Sequence, residues 1–154
     1  MKNTISKFIK TLSVLALLFA GTVTSISAQE NAKEYECTFT YSMTVASGKG
    51  SSGENVTPVV KVDFENRSVT LPPFVFTESK TIMSFTIDDV AFTEESDGTI
   101  TFYRKSFECN SGVLPLKGSD LKGTISNDKL TLTVKYKAGK MPFSLSLKYS
   151  GTEI

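Results

Sequence analysis

The chain has 154 residues, with 17 lysines and arginines against 16 aspartates and glutamates, and it contains neither histidine nor tryptophan. The lack of histidine excludes His-dependent catalytic triads and histidine-ligated zinc sites, and we expect no metal and no cofactor. The nearly neutral charge provides no basic surface for nucleic acid, so we expect no nucleic-acid partner.

Residues 1–28 have the pattern of a secretory signal peptide. Three lysines precede an apolar stretch from Leu12 to Ala20, and small residues then lead to Ala28. This stretch is too short to span a bilayer, so it indicates a cleaved signal and no transmembrane segment after its removal. Removal takes away three lysines and leaves 14 basic against 16 acidic residues, a net charge of −2. We expect an exported protein, periplasmic or extracellular.

The mature chain is predicted to begin with a flexible leader, residues 29–34, followed by a single domain, residues 35–154. A first strand is predicted from Tyr35 to Val45, because apolar and polar residues alternate with a period of two. Residues 46–55 are rich in serine and glycine and predict a loop.

The middle of the chain predicts further short strands separated by turn residues. The predicted strands are residues 56–64, 68–77, 99–109 and 113–125, with two strand pieces between residues 80 and 93. Pro72 and Pro73 interrupt the second of these because they remove backbone donors. Asp88 and Asp89 mark a bend, and the Asp97-Gly98 pair predicts a tight hairpin turn.

Residues 129–154 show the clearest pattern, that of a β-hairpin. Leu130, Leu132, Val134 and Tyr136 share one face of the first strand, and threonine and lysine share the other. The second strand alternates in the same way from Met141 to Tyr149, and the short link Ala138-Gly139-Lys140 fits a hairpin turn.

The fold class predicted from this pattern is all-β. About eight short strands with no long amphipathic helix predict an eight-stranded antiparallel up-and-down barrel, which leaves no exposed sheet edges. A two-sheet β-sandwich is the alternative. Pairing of the first strand with the last distinguishes a barrel from a sandwich.

The mature chain keeps two cysteines, Cys37 and Cys109, both with the parity of apolar neighbours. Because an exported protein meets oxidising conditions and the count is even, we expect a disulfide between them. Two buried free thiols are the alternative, and no histidine is present to activate a catalytic thiol.

Several segments resemble the calycin-like, or lipocalin-like, β-barrel proteins exported by gut bacteria. They are the signal peptide, Phe85 to Phe92 with Asp97 to Phe102, Gly123 to Ile125 with Asp128 to Val134, and Met141 to Thr152. The resemblance covers most of the mature chain and implies an eight-stranded barrel. It implies no particular set of binding residues, and the family's function is largely unassigned.

Two binding roles follow. The first is the binding of a small apolar molecule in the barrel, since the alternating faces direct many Phe and Tyr rings inward, where they line a pocket or fill the interior. The second is a protein-binding module, an inhibitor or a surface-assembly component, that uses the barrel-end loops at 46–55 and 110–115. We predict no enzyme, because the paired carboxylates Asp88-Asp89 and Glu94-Glu95 would point to opposite faces of a strand.

Overall fold

The computed structural model describes residues 31–77 and 80–154, so the predicted signal peptide, residues 1–28, lies outside the described part. The described residues form twelve strands and no helix, which confirms the all-β prediction. The strands are β1 Ala32–Met43, β2 Ala46–Lys49, β3 Val59–Asp63, β4 Ser68–Leu71, β5 Phe74–Thr77, β6 Lys80–Ile82, β7 Phe85–Ile87, β8 Ala91–Glu94, β9 Ile100–Ser111, β10 Leu114–Ser126, β11 Lys129–Ala138 and β12 Leu145–Glu153.

Nine of these strands lie side by side in one antiparallel sheet, in the order β7-β4-β3-β1-β12-β11-β10-β9-β8. The two edge strands are consecutive in the chain, with only residues 88–90 between them. The four Cα steps from Ile87 to Ala91 span at most about 14 Å. A flat nine-stranded sheet would hold its edges about 38 Å apart. The sheet is therefore strongly curled into an open, barrel-like shape.

The first strand pairs with the last, as a barrel requires. In the β1–β12 ladder Tyr35 lies opposite Glu153 and Ser42 opposite Ser146. No ladder of the described residues joins β7 to β8, but the seam is bridged in other ways. Arg104 of β9 donates a hydrogen bond of 3.3 Å to the carbonyl of Asp89, and the amide of Val90 donates to the carbonyl of Arg67 at 2.9 Å.

The structure has more strands than the predicted eight, because one predicted loop forms a strand and the predicted strands between residues 68 and 93 divide into shorter ones; one boundary also differs. Strand β2 forms within the predicted loop 46–55 and folds back on β1. Residues 74–82 leave the main sheet as a separate β5–β6 hairpin. Strand β1 begins at Ala32, so residues 32–34 belong to the sheet and not to the predicted leader.

The turns follow the local chemistry of the chain. Asn127 and Asp128 join β10 to β11 and both have positive φ, 50° and 62°. This is the backbone of a two-residue hairpin turn whose twist matches that of the strands. Gly98 has a φ of 85° in the predicted β8–β9 turn, and Asp89 has a φ of 55° at the predicted bend.

Strand β11 shows how the wall is divided between a polar and an apolar face. Its alternate residues, from Leu130 to Ala138, are buried, and those between them, from Lys129 to Lys137, are exposed. The outward face of β11 is therefore made of lysine and threonine side chains. No helix in the described part of the chain has the length and apolar character needed to cross a membrane.

Candidate functional site

The interior of the barrel is occupied by its own side chains. The rings of Tyr35, Tyr136 and Tyr149 are almost completely buried, as are most leucines of the inward faces. Phe39 stacks on Tyr149 with ring centroids 4.7 Å apart, and Phe85 meets Tyr136 edge-on at 5.2 Å. Of the two sequence-based interpretations of these rings, the structure shows the filled interior, so a ligand site has to be sought elsewhere.

An apolar groove of about 540 Å³ lies at one end of the barrel. We call it the end groove. It is lined by Met43, Phe76, Lys80, Thr81, Ile82, Leu114, Ala138, Met141 and Phe143. These residues come from the ends of β1 and β11, the β5–β6 hairpin, the start of β10 and the connection from β11 to β12. Concave sites of this size with mainly apolar walls are the usual form of small-molecule sites.

The β5–β6 hairpin lies across this end because two prolines end β4 and aromatic contacts then hold the hairpin in place. Pro72 and Pro73 end β4, since neither has an amide proton for the ladder. Phe74 then packs against Phe39 of β1 with centroids 5.6 Å apart, and against Phe76 at 4.2 Å. The hairpin thus brings Phe76 and Ile82 to the ends of β1, β10 and β11.

Two serine hydroxyls fix the return from the hairpin to the main sheet. Ser84 donates to the carbonyl of Leu71 at 2.7 Å, and Ser111 donates to the carbonyl of Met83 at 2.9 Å. The first bond ties the β6–β7 link to the end of β4, and the second ties it to the end of β9. The wall of the end groove on this side is consequently held at two points.

The opposite wall is formed by residues that the sequence placed in a strand. The alternation predicted a strand from Met141, but β12 begins only at Leu145. Gly139, with a φ of 54°, donates to the carbonyl of Pro115 at 2.8 Å, and Met141 donates to that of Ala138 at 3.1 Å. This turn moves Met141 and Phe143 out of the ladder, where both half-buried side chains line the end groove.

Two other grooves lie on the outward face of the barrel and have a different chemistry. One, of about 510 Å³, is lined by hydroxyl residues together with Asp120, Lys122, Lys135 and Lys148. The other, of about 520 Å³, lies between β1 and the segment that follows β2 and includes Lys49, Val56 and Pro58. Seven of the nine residues that line the end groove are apolar, a larger share than in either of these two grooves, so it is the candidate site for an apolar ligand.

The predicted disulfide between Cys37 and Cys109 is not formed, and both thiols are free. Cys37 lies on β1 and Cys109 on β9, with β12, β11 and β10 between them. Bonded cysteines need Cα atoms about 4.4–6.8 Å apart. One step between neighbouring strands is already about 4.8 Å, so residues four strand steps apart are not brought together by the sheet. Shared parity placed both residues on inward faces but carried no information about the number of strands between them.

The titratable groups of the interior include the two free thiols and two tyrosines on the intervening strands, and all of these are buried except Cys109, which is half-buried. Burial raises the pKa of Cys37 to about 11, and burial together with the charge of Asp88 raises the pKa of Cys109 to about 11. Burial is also the main cause that raises the pKa of Tyr136 and of Tyr149 well above the usual range. All four groups are neutral at physiological pH, so the interior is an uncharged core.

The paired carboxylates that the sequence singled out lie at the barrel seam and at the end of β8. Asp89 lies at the barrel seam, with carboxylate oxygens 3.9 Å from the guanidinium groups of Arg67 and Arg104. Glu94 ends β8, and Glu95 opens the following turn, where its amide donates to the carbonyl of Thr99. No group of three or more Cys, Asp or Glu residues suited to a metal ion is found within the described ranges.

Comparison with solved structures shows a related fold. The chain superposes on a crystal structure of a putative outer membrane protein from Bacteroides fragilis NCTC 9343 with a TM-score of 0.56 and 20% sequence identity. The match covers 79% of this chain and 50% of that one, so this chain corresponds to half the length of the neighbour. No protein-family model matches the sequence, and no curated protein matches it. The similarity supports the β-barrel fold.

Proposed function

We propose that the protein is an exported barrel of the cell envelope that binds a small apolar molecule in its end groove. The observation that carries this proposal is the end groove itself, a concavity of about 540 Å³ whose walls include Phe76, Leu114 and Phe143. Because the interior is filled, the ligand would sit at the mouth of the barrel and not inside it. No catalytic step is assigned to the protein.

The wider fold supports an assignment to the calycin-like exported barrels. A curled antiparallel sheet with its first and last strands paired is the architecture that such barrels share. The envelope location is supported by the predicted signal peptide and by the description of the structural neighbour as a putative outer membrane protein. A protein-binding role at the same end is the alternative, and it would require no small ligand.

The test is a titration of the mature protein with N-phenyl-1-naphthylamine, an uncharged probe that fluoresces in apolar sites. We expect saturable binding with one probe per chain. Phe143→Ala and Leu114→Ala each remove apolar side-chain carbons from the wall of the end groove. Each should weaken binding about tenfold, because the bound probe then buries less apolar surface. Val56→Ala, a matched truncation of an exposed apolar residue away from the end groove, should leave the affinity unchanged.

The same titration can reject the proposal. The proposal is rejected if binding is not saturable, or if Phe143→Ala, Leu114→Ala and Val56→Ala all bind the probe with equal affinity. Native mass spectrometry of protein purified gently from its own host then completes the test. A small molecule that is lost on denaturation, and that is missing from the Phe143→Ala variant, identifies the natural ligand class.

A further inference from the structure

The end of the barrel that carries the end groove also exposes isolated apolar side chains. Val45 is 76% exposed, Met83 55% and Val113 102%. They lie on three separate connections, between β1 and β2, between β6 and β7, and between β9 and β10. A single exposed apolar residue is ordinary, but three at the tips of one barrel end are a shared feature that needs an explanation. None of the three lines the end groove.

Their common position follows from hydrogen bonds and the sheet order. The carbonyl of Met83 accepts a hydrogen bond from the hydroxyl of Ser111, at the end of β9. A β-carbon built on Gly112, beside Val113, would lie 3.9 Å from the Met83 side chain. Strand β1 runs antiparallel to β12, so the turn that carries Val45 lies at the same end as the start of β12.

The charges of the barrel are divided between its two ends. The four described segments that form the apolar end, residues 43–48, 80–84, 110–115 and 138–145, contain Lys80 and Lys140 and no acidic residue. The turns at the opposite end, residues 63–68, 94–100 and 126–129, contain six acidic residues and only two basic ones. The six are Asp63, Glu65, Glu94, Glu95, Asp97 and Asp128. Residues 78–79, between β5 and β6, lie outside the described ranges, but the sequence places Glu78 there, so the chain near the apolar end carries two lysines and one glutamate.

We propose that this end of the barrel docks on the surface of an anionic phospholipid bilayer. Val45, Met83 and Val113 would enter the boundary between headgroups and acyl chains, and Lys80 and Lys140 would lie at the phosphates. Apolar area inserted at the interface and basic residues near anionic headgroups are the two contributions that hold peripheral proteins on membranes. The acidic opposite end would face away from the negative surface.

The sides of the barrel favour this end-on orientation. Outward residues of β11 and its neighbours are mainly lysine, threonine and serine, among them Thr133, Lys135 and Lys148, which do not enter an apolar layer. Contact with lipid is thereby confined to the tips. The inference does not depend on the proposed ligand, although end-on docking would open the end groove toward the bilayer.

The experiment is vesicle flotation of the mature protein with phosphatidylcholine vesicles that contain 0 or 30% phosphatidylglycerol. We expect binding to the anionic vesicles that weakens in 0.5 M NaCl. Val113→Asp should reduce the partition coefficient by about tenfold or more, since it removes a fully exposed apolar tip and adds a repelled charge. Replacing Lys80 and Lys140 by serine should reduce it by about 25-fold, roughly fivefold for each lysine.

Ile154→Asp is the matched control, because Ile154 is 68% exposed at the opposite end of the barrel. It should bind vesicles as the unmodified protein does. The inference is overturned if no anionic vesicle binds the protein, or if Ile154→Asp weakens binding as much as Val113→Asp. Self-association that Val113→Asp abolishes, measured by analytical ultracentrifugation without lipid, would instead assign the tips to a protein contact.

Two further variants separate this inference from the proposed function. Phe143→Ala should weaken probe binding about tenfold and keep vesicle binding within about twofold, because its side chain lines the end groove and is not one of the exposed tips. Val113→Asp should reduce vesicle binding by about tenfold or more and keep the affinity for N-phenyl-1-naphthylamine. Failure of the probe-binding results would reject the proposed ligand site alone, and failure of the vesicle-binding results would reject the membrane docking alone.

Discussion

Gly123 offers a sharp test of how the wall of the barrel is packed. It lies on β10 directly opposite Phe102 of β9, and the phenyl ring covers the glycine. A β-carbon at position 123 would lie 1.9 Å from Cζ and 2.4 Å from both Cε carbons of Phe102. Ordinary carbon contacts are about 3.5–4.0 Å, so Gly123→Ala would force the ring to move by roughly 1.5–2 Å.

The ring has little room for this movement. Phe102 is buried, and it packs against Phe92 with ring centroids 5.4 Å apart. Overpacking of a filled core costs about 1–3 kcal/mol, and the intrinsic preference of a strand for alanine over glycine offsets about 0.5–1 kcal/mol of this. We therefore expect Gly123→Ala to lower the free energy of unfolding by about 1–2 kcal/mol, or Tm by about 4–10 °C.

Urea unfolding followed by circular dichroism measures this change, and a double-mutant cycle identifies its cause. Phe102→Leu removes the three ring carbons that meet the new methyl group, so Gly123→Ala should cost at least about 1 kcal/mol less in that background. Gly48→Ala is the control, since its β-carbon would meet only Tyr41 at 3.4 Å. An equal cost of Gly123→Ala in both backgrounds would refute the packing argument.

Two further predictions follow from the titratable groups of the interior. The mature protein should have the same intact mass with and without reductant, and Cys37 and Cys109 should react with iodoacetamide at pH 8 only in denaturant, since burial raises both pKa values to about 11. A mass deficit of two hydrogens before reduction would contradict this. Because burial raises the pKa values of Tyr136 and Tyr149, these rings ionise in the unfolded chain at a lower pH than in the folded protein. Their contribution to stability is fully present below the ordinary tyrosine pKa of 10.0 and is lost as the pH rises above it. The free energy of unfolding should fall by up to about 1.4 kcal/mol per pH unit for each ring. Urea titrations between pH 7 and 11.5, with tyrosinate absorbance at 295 nm, measure this loss; full ionisation of both rings in a still folded protein would contradict it.

The sequence by itself determined the features that depend on neighbouring residues. The two-residue period from Leu130 to Ala138 identified an inward and an outward face, because successive side chains of a strand alternate by geometry alone. Turn chemistry located the hairpin at Asp97-Gly98, where Gly98 has a positive φ. The absence of long helical periodicity then established the all-β class.

Only the tertiary structure decided how those strands are arranged and where an apolar groove forms. Strand order placed three strands between Cys37 and Cys109, a separation that parity cannot report. Met141 and Phe143 continue the alternation of a strand, yet tertiary contacts turn them into the wall of the end groove. Local patterns specify which side of a strand is apolar, whereas the curling of the whole sheet decides which apolar side chains fill the interior and which remain at its mouth.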